Sequence, residues 1–239
     1  MQSIGVVVAR RTDSLETLRT KMPLPTLRPI SAVEKATSTC SSPMPASGET
    51  QKYNVTFYLP PSRTYRHRCV SRHADWADTF CVNTTAHYFL SVALLPLLAA
   101  ASELDLGDGR LGRSEGRGVI VITSSCASMH NATNIDLTSY ATSKAATDHL
   151  VRLLAAKFRR FYVRVVGINP GFVPSSMNPV GEEGNMFSSL FDRVPAKRAG
   201  NAEDIAGTVM YLVSRAGAYV DGVSLCVDGG RVLVANGQE

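Results

Sequence analysis

Apolar residues are grouped along the chain in a way that predicts a strand, a helix and a second strand in succession. Two runs rich in β-branched residues, 119–122 and 163–168, have the length and composition of buried strands. A segment predicted to be helical, 139–160, lies between them. Nearer the N-terminus, apolar and polar residues alternate over 53–59, which predicts a further strand.

Tyr140 and Lys144 stand four positions apart in the predicted helix 139–160. Residues at this spacing share one face of a helix. A phenol has a pKa of about 10 and exchanges protons poorly at neutral pH unless a cation lies close to it. Lys144 is placed to be that cation, so the pair is a candidate acid–base centre. The alternative is a packed tyrosine beside a surface lysine.

Hydroxyl residues end the first of the two buried strands, and the second runs directly into Pro170-Gly171. With the helix that carries Tyr140 and Lys144 between them, this order of motifs resembles the short-chain dehydrogenase/reductase family. The resemblance covers about residues 75–230. It implies an α/β fold with a Rossmann-like, doubly wound parallel sheet that is incomplete at its N-terminus.

The resemblance divides the single expected domain, 1–239, into three parts. Residues 75–230 match the family's catalytic part, and 1–20 resemble its second strand and the helix after it. Segment 21–73 is rich in Pro, Ser and Thr, which favours irregular structure. The family's third strand and its Asn-Asn-Ala-Gly turn are not visible there. Translation from the wrong reading frame, an unspliced intron and genuine divergence are all open explanations.

The family's catalytic tetrad has matching positions in this chain. Asn83 lies on what resembles the family's long central helix and matches the tetrad asparagine, although it could merely bond a neighbouring helical turn. Ser125 ends the strand where the family has its serine, with Ser124 and Ser128 as competing candidates. The gap from Ser125 to Tyr140 is slightly wider than usual in the family.

The resemblance implies a role for each tetrad residue. Tyr140 would donate the proton to a carbonyl oxygen, and Lys144 would lower the pKa of Tyr140 and hold the nicotinamide ribose. Ser125 would hydrogen-bond the developing oxyanion. Asn83 would hold a water that links Lys144 to solvent in a proton relay.

The turn after the second strand resembles the one with which the family grips the nicotinamide carboxamide. Four residues would form this part of the cofactor site, together with the tetrad tyrosine and lysine: Pro170, Gly171, Val173 and Ser175. Ser175 stands where the family usually has Thr.

Arg10 and Arg11 follow the run that resembles the family's second strand. A basic residue at this place can pair with a ribose 2′-phosphate through bidentate contacts. The expected cofactor is therefore NADP(H) rather than NAD(H). An exposed arginine without a partner is the alternative.

The glycine-rich turn with which the family holds the pyrophosphate is missing from the N-terminal part of the sequence. Residues 107–112 fit a dinucleotide-binding glycine pattern literally. A phosphate-binding loop must follow a strand and open a helix, whereas this stretch follows a predicted helix and precedes a strand. A flexible polar loop is expected there instead.

The implied function is NAD(P)(H)-dependent hydride transfer between a nicotinamide and a carbonyl or alcohol carbon, with a 3-oxoacyl thioester as substrate by family analogy. The second hypothesis is a catalytically impaired remnant that acts as a binding protein or has no function. Nucleic-acid binding is the third. The net charge of +5 permits it, but no aromatic-interleaved basic platform or helix-turn-helix pattern supports it.

The remaining expectations come from composition and from the resemblance. The five cysteines have no paired spacing, so free thiols are expected, with neither a disulfide framework nor a metal site. The apolar run 88–101 is too short to span a bilayer, and no signal peptide is evident. We therefore expect a cytoplasmic protein without membrane contact. The helices that begin near 75 and 139 match the family's dimer interface, so a homodimer or homotetramer is expected.

Overall fold

A four-stranded sheet with the order β1-β2-β3-β4 forms the centre of the fold. The structure is a computed structural model that describes residues 6–8, 73–131, 137–175, 191 and 193–235. The strands are β1 (Val6–Val8), β2 (Val119–Thr123), β3 (Arg164–Pro170) and β4 (Ser224–Val227). The predicted strand 53–59, segment 21–73 except its last residue, and both Arg10 and Arg11 lie outside the described residues.

Strands β2, β3 and β4 are parallel to one another. Ile122 lies opposite Gly167 in the first pair, and Ile168 lies opposite Leu225 in the second. Helices connect β2 to β3 and β3 to β4, as parallel pairing requires. The predicted parallel α/β arrangement is confirmed over these three strands.

Strand β1 pairs with β2 in the antiparallel direction, with Val7 opposite Val121. This corrects the interpretation of the N-terminal run as the family's second strand, which belongs to a parallel sheet. Three valines can complete the hydrogen bonds of the β2 edge in either direction, and antiparallel pairing requires no crossover helix.

Five α-helices surround the sheet in the described part of the chain. They are α1 (His73–Phe80), α2 (Ala86–Glu103), α3 (Thr138–Phe158), α4 (Ala202–Val213) and α5 (Arg231–Ala235). A π-helical turn, Cys81–Thr85, joins α1 to α2, so the backbone is helical throughout Ala74–Glu103.

The core has two parts because successive strand residues point to opposite faces of the sheet. On one face, Ile120 and Ile122 pack with residues of α2 and α3, including Leu154 and Phe158. On the other face, Val119, Val121, Val166 and Ile168 pack with Leu212 of α4. Burial on both faces explains why β2 and β3 appear in the sequence as continuous apolar runs.

Helix α4 begins with a cap formed by residues close to one another in the sequence. Asn201 caps the helix by accepting a hydrogen bond from the Asp204 backbone N–H at 2.9 Å, and the Asp204 side chain accepts one from the Asn201 N–H at 2.8 Å. This reciprocal pair is a capping box. Asp204 also pairs with Arg198 at 2.6 Å, and that contact lowers the pKa of its carboxyl to about 2.

The glycine-rich stretch 107–112 is a turn between α2 and β2, as expected. Gly107 and Gly109 have φ values of +83° and +73°, and a side chain at Gly112 would collide with the Ala101 carbonyl. The glycines therefore serve turn geometry and close packing against the end of α2. They lie beyond the amino end of β2, far from the residues at its carboxyl end.

One expectation about the cysteines is wrong in the described part of the chain, and the expectation of no membrane contact stays a prediction. The helical backbone around the apolar run 88–101 extends over Ala74–Glu103, which is long and apolar enough to cross a membrane by length and composition alone. Core helices of soluble proteins meet the same two criteria. Cys126 and Cys226 are free thiols as expected, but Cys81 is disulfide-bonded.

Candidate active site

The carboxyl end of β2 places three serines in different environments. Ser124 is buried and donates through its hydroxyl to the Lys144 carbonyl at 2.9 Å, which ties the strand to α3. Ser128 donates to a carboxylate oxygen of Asp148 at 2.5 Å. Ser125 is the serine that interacts with the Tyr140 phenol. The structure therefore favours Ser125 among the three candidates.

Local backbone geometry holds Ser125 in place. Its backbone is extended, and its hydroxyl accepts a hydrogen bond from the Ala127 N–H at 3.1 Å. That bond caps a short 3-10 turn, Cys126–Ser128, so the chain reverses directly after Ser125. The hydroxyl is thereby fixed at the end of the strand and facing α3.

Burial of Tyr140 keeps its phenol protonated. Burial raises the pKa of Tyr140, hydrogen bonding to Ser125 opposes part of the rise, and Cys126 adds to it. The net shift in the pKa of Tyr140 is therefore opposite in direction to the lowering by Lys144 that the resemblance implied. A protonated phenol is the form that can donate to a carbonyl oxygen.

Lys144 is a buried cation beside Tyr140. Its side chain is only 8% exposed, its Nζ lies 5.7 Å from the centroid of the Tyr140 ring, and it donates to the Thr123 carbonyl at 3.1 Å. Burial lowers the pKa of Lys144 to about 8, against the attraction of Asp148, which raises it. The interpretation of Lys144 as a surface lysine is wrong.

Asn83 links the π-helical turn to α3. Its Nδ2 donates to the Ser143 hydroxyl at 2.9 Å, and its backbone carbonyl accepts a hydrogen bond from the Thr147 hydroxyl at 2.6 Å. The side chain is 3% exposed. Single π-helical turns inside α-helices occur often at functional sites. Asn83 thus contacts the helix that carries Tyr140 and Lys144, one residue before Lys144.

His87 belongs to the same buried region, and the sequence analysis did not single it out. It is 2% exposed, and its Nδ1 has no hydrogen-bond partner among the described residues. Burial, and then the charge of Lys144, lower the pKa of His87 to about 4, so it is neutral at pH 7. The sequence could have indicated this, because His87 follows Asn83 by four residues and residues at that spacing share one face of a helix.

A buried polar network behind Ser125 was also missed. Asn169 donates through Nδ2 to the Ser125 carbonyl at 3.2 Å, to the Ser128 hydroxyl at 3.0 Å and to Asp148 Oδ2 at 2.9 Å. The sequence could have indicated Asp148, because it follows Lys144 by the same four residues that separate Lys144 from Tyr140, which places all three on one face of the helix. The network connects α3, β3 and the turn after β2.

The predicted nicotinamide turn is bound to the end of β4. The Gly171 N–H donates to the Val227 carbonyl at 3.0 Å, and a side chain at Gly171 would come within 2.7 Å of the Asp228 Cα. The Phe172 carbonyl accepts a hydrogen bond from the Gly200 N–H at 2.8 Å. Ser175 is exposed at the far end of this turn, beyond the partly buried Val173.

A cavity of about 440 Å³ lies beside this turn rather than at the tetrad. Phe172, Arg198, Cys226 and Asp228 are among the residues that line it, and none of the four tetrad candidates does. In the part of the chain that the structure describes, no group of three or more His, Cys, Asp or Glu side chains could hold a metal ion.

The fold and the site together define a class of protein: a parallel α/β sheet with a serine, a tyrosine and a buried lysine meeting at its carboxyl edge. A family model described as enoyl-(acyl carrier protein) reductase matches residues 67–231. The curated relatives that cover two thirds of the chain include named short-chain dehydrogenases/reductases. The chain belongs to the short-chain dehydrogenase/reductase family.

Two curated relatives illustrate the similarity. The chain is 34% identical over 174 residues to the short-chain dehydrogenase/reductase SAT3 of Stachybotrys chartarum, covering 67% of this chain and 62% of the relative. It is 36% identical over 163 residues to the 7alpha-hydroxysteroid dehydrogenase of Escherichia coli, covering 68% and 58%. The chain thus spans less than two thirds of the length of these relatives.

Solved structures show the same fold. The 7alpha-hydroxysteroid dehydrogenase complexed with NADH and 7-oxo glycochenodeoxycholic acid is 29% identical, with a TM-score of 0.56 over 71% of this chain and 60% of that one. A putative betaketoacyl-ACP reductase is 27% identical, with a TM-score of 0.53 over 69% and 62%.

Proposed function

We propose that this chain is an NAD(P)(H)-dependent oxidoreductase that acts on a carbonyl or alcohol carbon of a small molecule. The observation that carries the proposal is the buried Lys144, whose Nζ lies 5.7 Å from the centroid of the Tyr140 ring. A buried lysine without a salt bridge is costly, and perturbed titratable groups of this kind cluster at functional sites.

The residues have separate tasks in this proposal. Tyr140 holds a proton at its hydroxyl and donates it to the carbonyl oxygen of the substrate. Ser125 hydrogen-bonds the same oxygen as negative charge develops on it. The Asn169 network keeps the Ser125 turn fixed, and Asn83 holds the α1–α2 segment against α3, with a water near it linking Lys144 to solvent.

The residues present fit the nicotinamide end of a dinucleotide. An ammonium group has three N–H donors, and Thr123 accepts one from Lys144, which leaves donors for ribose hydroxyls. Pro170, Gly171, Val173 and Ser175 form the turn proposed to bind the carboxamide. When bound, the nicotinamide supplies or accepts the hydride.

NADP(H) is proposed in preference to NAD(H) because Arg10 and Arg11 offer bidentate partners for a 2′-phosphate. The 7alpha-hydroxysteroid dehydrogenase structure contains NADH, so the family relation by itself does not decide between the two. Comparing the dissociation constants of NADPH and NADH, with Arg10→Gln and Arg11→Gln as variants, tests this preference. Equal constants in the unmodified chain would contradict it.

A 3-oxoacyl thioester is the proposed substrate class. A relative named as a putative betaketoacyl-ACP reductase supports it, whereas another is named for a hydroxysteroid. We further propose a single domain, a cytoplasmic location, and a homodimer or homotetramer without membrane or nucleic-acid partners.

A catalytically impaired remnant that serves as a binding protein is the second candidate. The observation that favours it is the lack of a glycine-rich turn after an N-terminal strand in the 239 residues. NADPH titration separates the two candidates, because only the oxidoreductase requires the dinucleotide to bind.

The decisive experiment is turnover of acetoacetyl-coenzyme A by the unmodified chain and by Tyr140→Phe, at an NADPH concentration high enough to offset the weak binding expected of a sequence without a glycine-rich turn. Loss of the phenol proton should lower kcat by about 100-fold or more while NADPH binding is retained. Tyr219→Phe is the matched control, because Tyr219 is fully exposed. Equal turnover by Tyr140→Phe and the unmodified chain would exclude the proposed role of Tyr140.

A further inference from the structure

Arg231 is a buried cation whose guanidinium has no anionic partner among the described residues. It is the first residue of α5 and follows the turn at Gly229 and Gly230. The residue is 8% exposed, and its Nε has no hydrogen-bond partner. No described carboxylate lies within ion-pair distance of it. A buried charge is normally paired or coordinated, so this arrangement calls for a partner.

A second buried arginine shows what a purely structural one looks like in this fold. Arg164 is also 8% exposed, and its Nε likewise has no hydrogen-bond partner, so the two arginines differ in their Nη groups. Its Nη1 donates to the carbonyls of Gly217 and Val220 at 2.8 Å each, and its Nη2 donates to those of Gly116 and Leu212 at 2.8 and 3.0 Å. In the described part of the chain, the Arg231 guanidinium donates no such bond. Its burial is therefore not explained by internal hydrogen bonding.

The position of Arg231 places this charge at the edge of the candidate active site. Its Cζ lies 5.5 Å from the centroid of the Phe172 ring, in the turn after β3. Helix α5 also packs against the Cys126–Ser128 turn, which begins directly after Ser125. Arg231 thus lies between the turn that follows Ser125 and the turn that follows Pro170.

The contact with Phe172 leaves the hydrogen-bonding edge of Arg231 available. The contact is an attraction between the cation and the ring, and it takes up none of the N–H donors of the guanidinium. A carboxylate accepts two parallel N–H bonds from that edge. Buried backbone carbonyls accept the N–H bonds of Arg164, and a ligand oxyanion would accept those of Arg231.

We propose that Arg231 anchors a carboxylate of the carbonyl substrate, so that the site prefers a 3-oxo acid to its neutral ester. This inference rests on the proposed oxidoreductase function, and it replaces the neutral thioester suggested by family analogy with a free 3-oxo acid as the substrate class of the same site. Tyr140 and Ser125 act at the ketone oxygen, and Arg231 acts at the carboxylate of the same molecule. It is a specificity-determining residue and takes no part in the proton transfer.

The test compares acetoacetate with ethyl acetoacetate, which share the ketone and differ in charge. Dissociation constants are measured by ligand-observed NMR on the full chain without a nicotinamide cofactor. The unmodified chain should bind the acid at least about tenfold more tightly than the ester, because a charge-assisted bidentate pair contributes at least the free energy of a tenfold change. Arg231→Met should bind the two equally, and Arg231→Lys should keep part of the preference. Arg152→Met, at an exposed position of α3, should keep all of it.

Three results would overturn the proposal: equal affinities in the unmodified chain, no binding of acetoacetate to it, or a full preference in Arg231→Met. If Arg231→Met does not fold, the affinities of the unmodified chain and of Arg231→Lys for acid and ester still decide whether Arg231 anchors the carboxylate. The experiments can reject the carboxylate site at Arg231 and the oxidoreductase function independently of each other. Preference for the acid without any turnover would keep the carboxylate site and reject the oxidoreductase, and turnover without preference for the acid would do the reverse.

Discussion

The side-chain amide of Asn83 donates to the hydroxyl of Ser143 at 2.9 Å across 60 residues of sequence. Ser143 in turn donates to the Tyr140 carbonyl at 2.7 Å. The chain of bonds therefore runs from the π-helical turn into the first turns of α3. It fixes the spacing between the helix that carries Asn83 and the helix that carries Tyr140 and Lys144.

Removing either partner of the hydrogen bond between Asn83 and Ser143 is expected to destabilise the protein. Asn83→Ala and Ser143→Ala should each lower the free energy of unfolding by about 1–3 kcal/mol, because each removes a buried hydrogen bond. The double variant should cost less than the sum of the two, by about 0.5–1.5 kcal/mol. Urea denaturation of the four proteins measures this coupling. Strict additivity would show that the bond contributes nothing.

Lys144 is expected to destabilise the fold that it serves. Because burial lowers the pKa of Lys144 to about 8, the unfolded chain binds more protons than the folded one between that pH and the ordinary lysine value of 10.5. The penalty is thus fully present at pH 7 and is relieved as pH rises through this window. Lys144→Met should raise the free energy of unfolding at pH 7 by about 1–3 kcal/mol and abolish turnover.

Thermal denaturation at pH 7 checks the stability of Lys144→Met. Lys157→Met is the matched control, because Lys157 is exposed and its described contact is with the ring of Tyr88 at 5.6 Å. A loss of stability in Lys144→Met would show that the contacts of Lys144 with Thr123 and Asp148 outweigh its burial.

His87 should make the protein sensitive to mild acid. Its pKa in the folded state, about 4, lies below its ordinary value of 6.5, so the unfolded chain binds more protons between these values. Stability is therefore lost as pH falls from about 6.5 to about 4, by on the order of 2–3 kcal/mol from this residue alone. His87→Gln should remove that part of the loss.

The measurement is the free energy of unfolding at pH 7, 6, 5 and 4. Lys144→Met gives a second comparison, because it removes the charge that helps to lower the pKa of His87 and should reduce the acid loss. Identical pH profiles for the unmodified chain and His87→Gln would refute the interpretation of His87 as a buried neutral imidazole.

Exposed apolar residues on α2 and α3 lead us to expect self-association. Phe89, Val92 and Leu97 of α2 and Leu153 of α3 are 44%, 40%, 39% and 54% exposed. Contiguous exposed apolar surface usually marks an interface. Light scattering should give a dimer or tetramer for the unmodified chain and a smaller mass for Phe89→Asp. Met210→Asp on α4 is the control, and a monomer mass for the unmodified chain at micromolar concentration would contradict the prediction.

The 239-residue chain is expected to bind NADPH weakly. Its sequence has no glycine-rich turn to present backbone N–H groups to a pyrophosphate. Several missing charge-assisted hydrogen bonds, at about 1.5–3 kcal/mol each, lower the affinity by orders of magnitude. Fluorescence titration should show tighter NADPH binding once a first strand and glycine turn are grafted onto the N-terminus. Micromolar affinity and ordinary turnover by the unmodified chain would refute this expectation.

Features that depend on neighbours in the sequence could be predicted from it. The strands around 119–122 and 163–168 follow from their apolar runs, and Asn201 with Asp204 forms the helix cap within four residues of chain. The shared face of Tyr140 and Lys144 follows from helical geometry. In each case the relevant distances are determined by the local backbone, which few residues specify.

Only the tertiary structure separated Ser125 from Ser124 and Ser128, because which hydroxyl faces Tyr140 depends on how α3 packs on β2. It also decided that β1 runs antiparallel, that Asn83 bonds Ser143, and that Lys144 and Arg231 are buried. Burial and charge contacts sum over residues distant in sequence, and they determine the pKa values of His87 and Lys144. A linear pattern of residue types specifies which side chains can react, and packing specifies which of them meet.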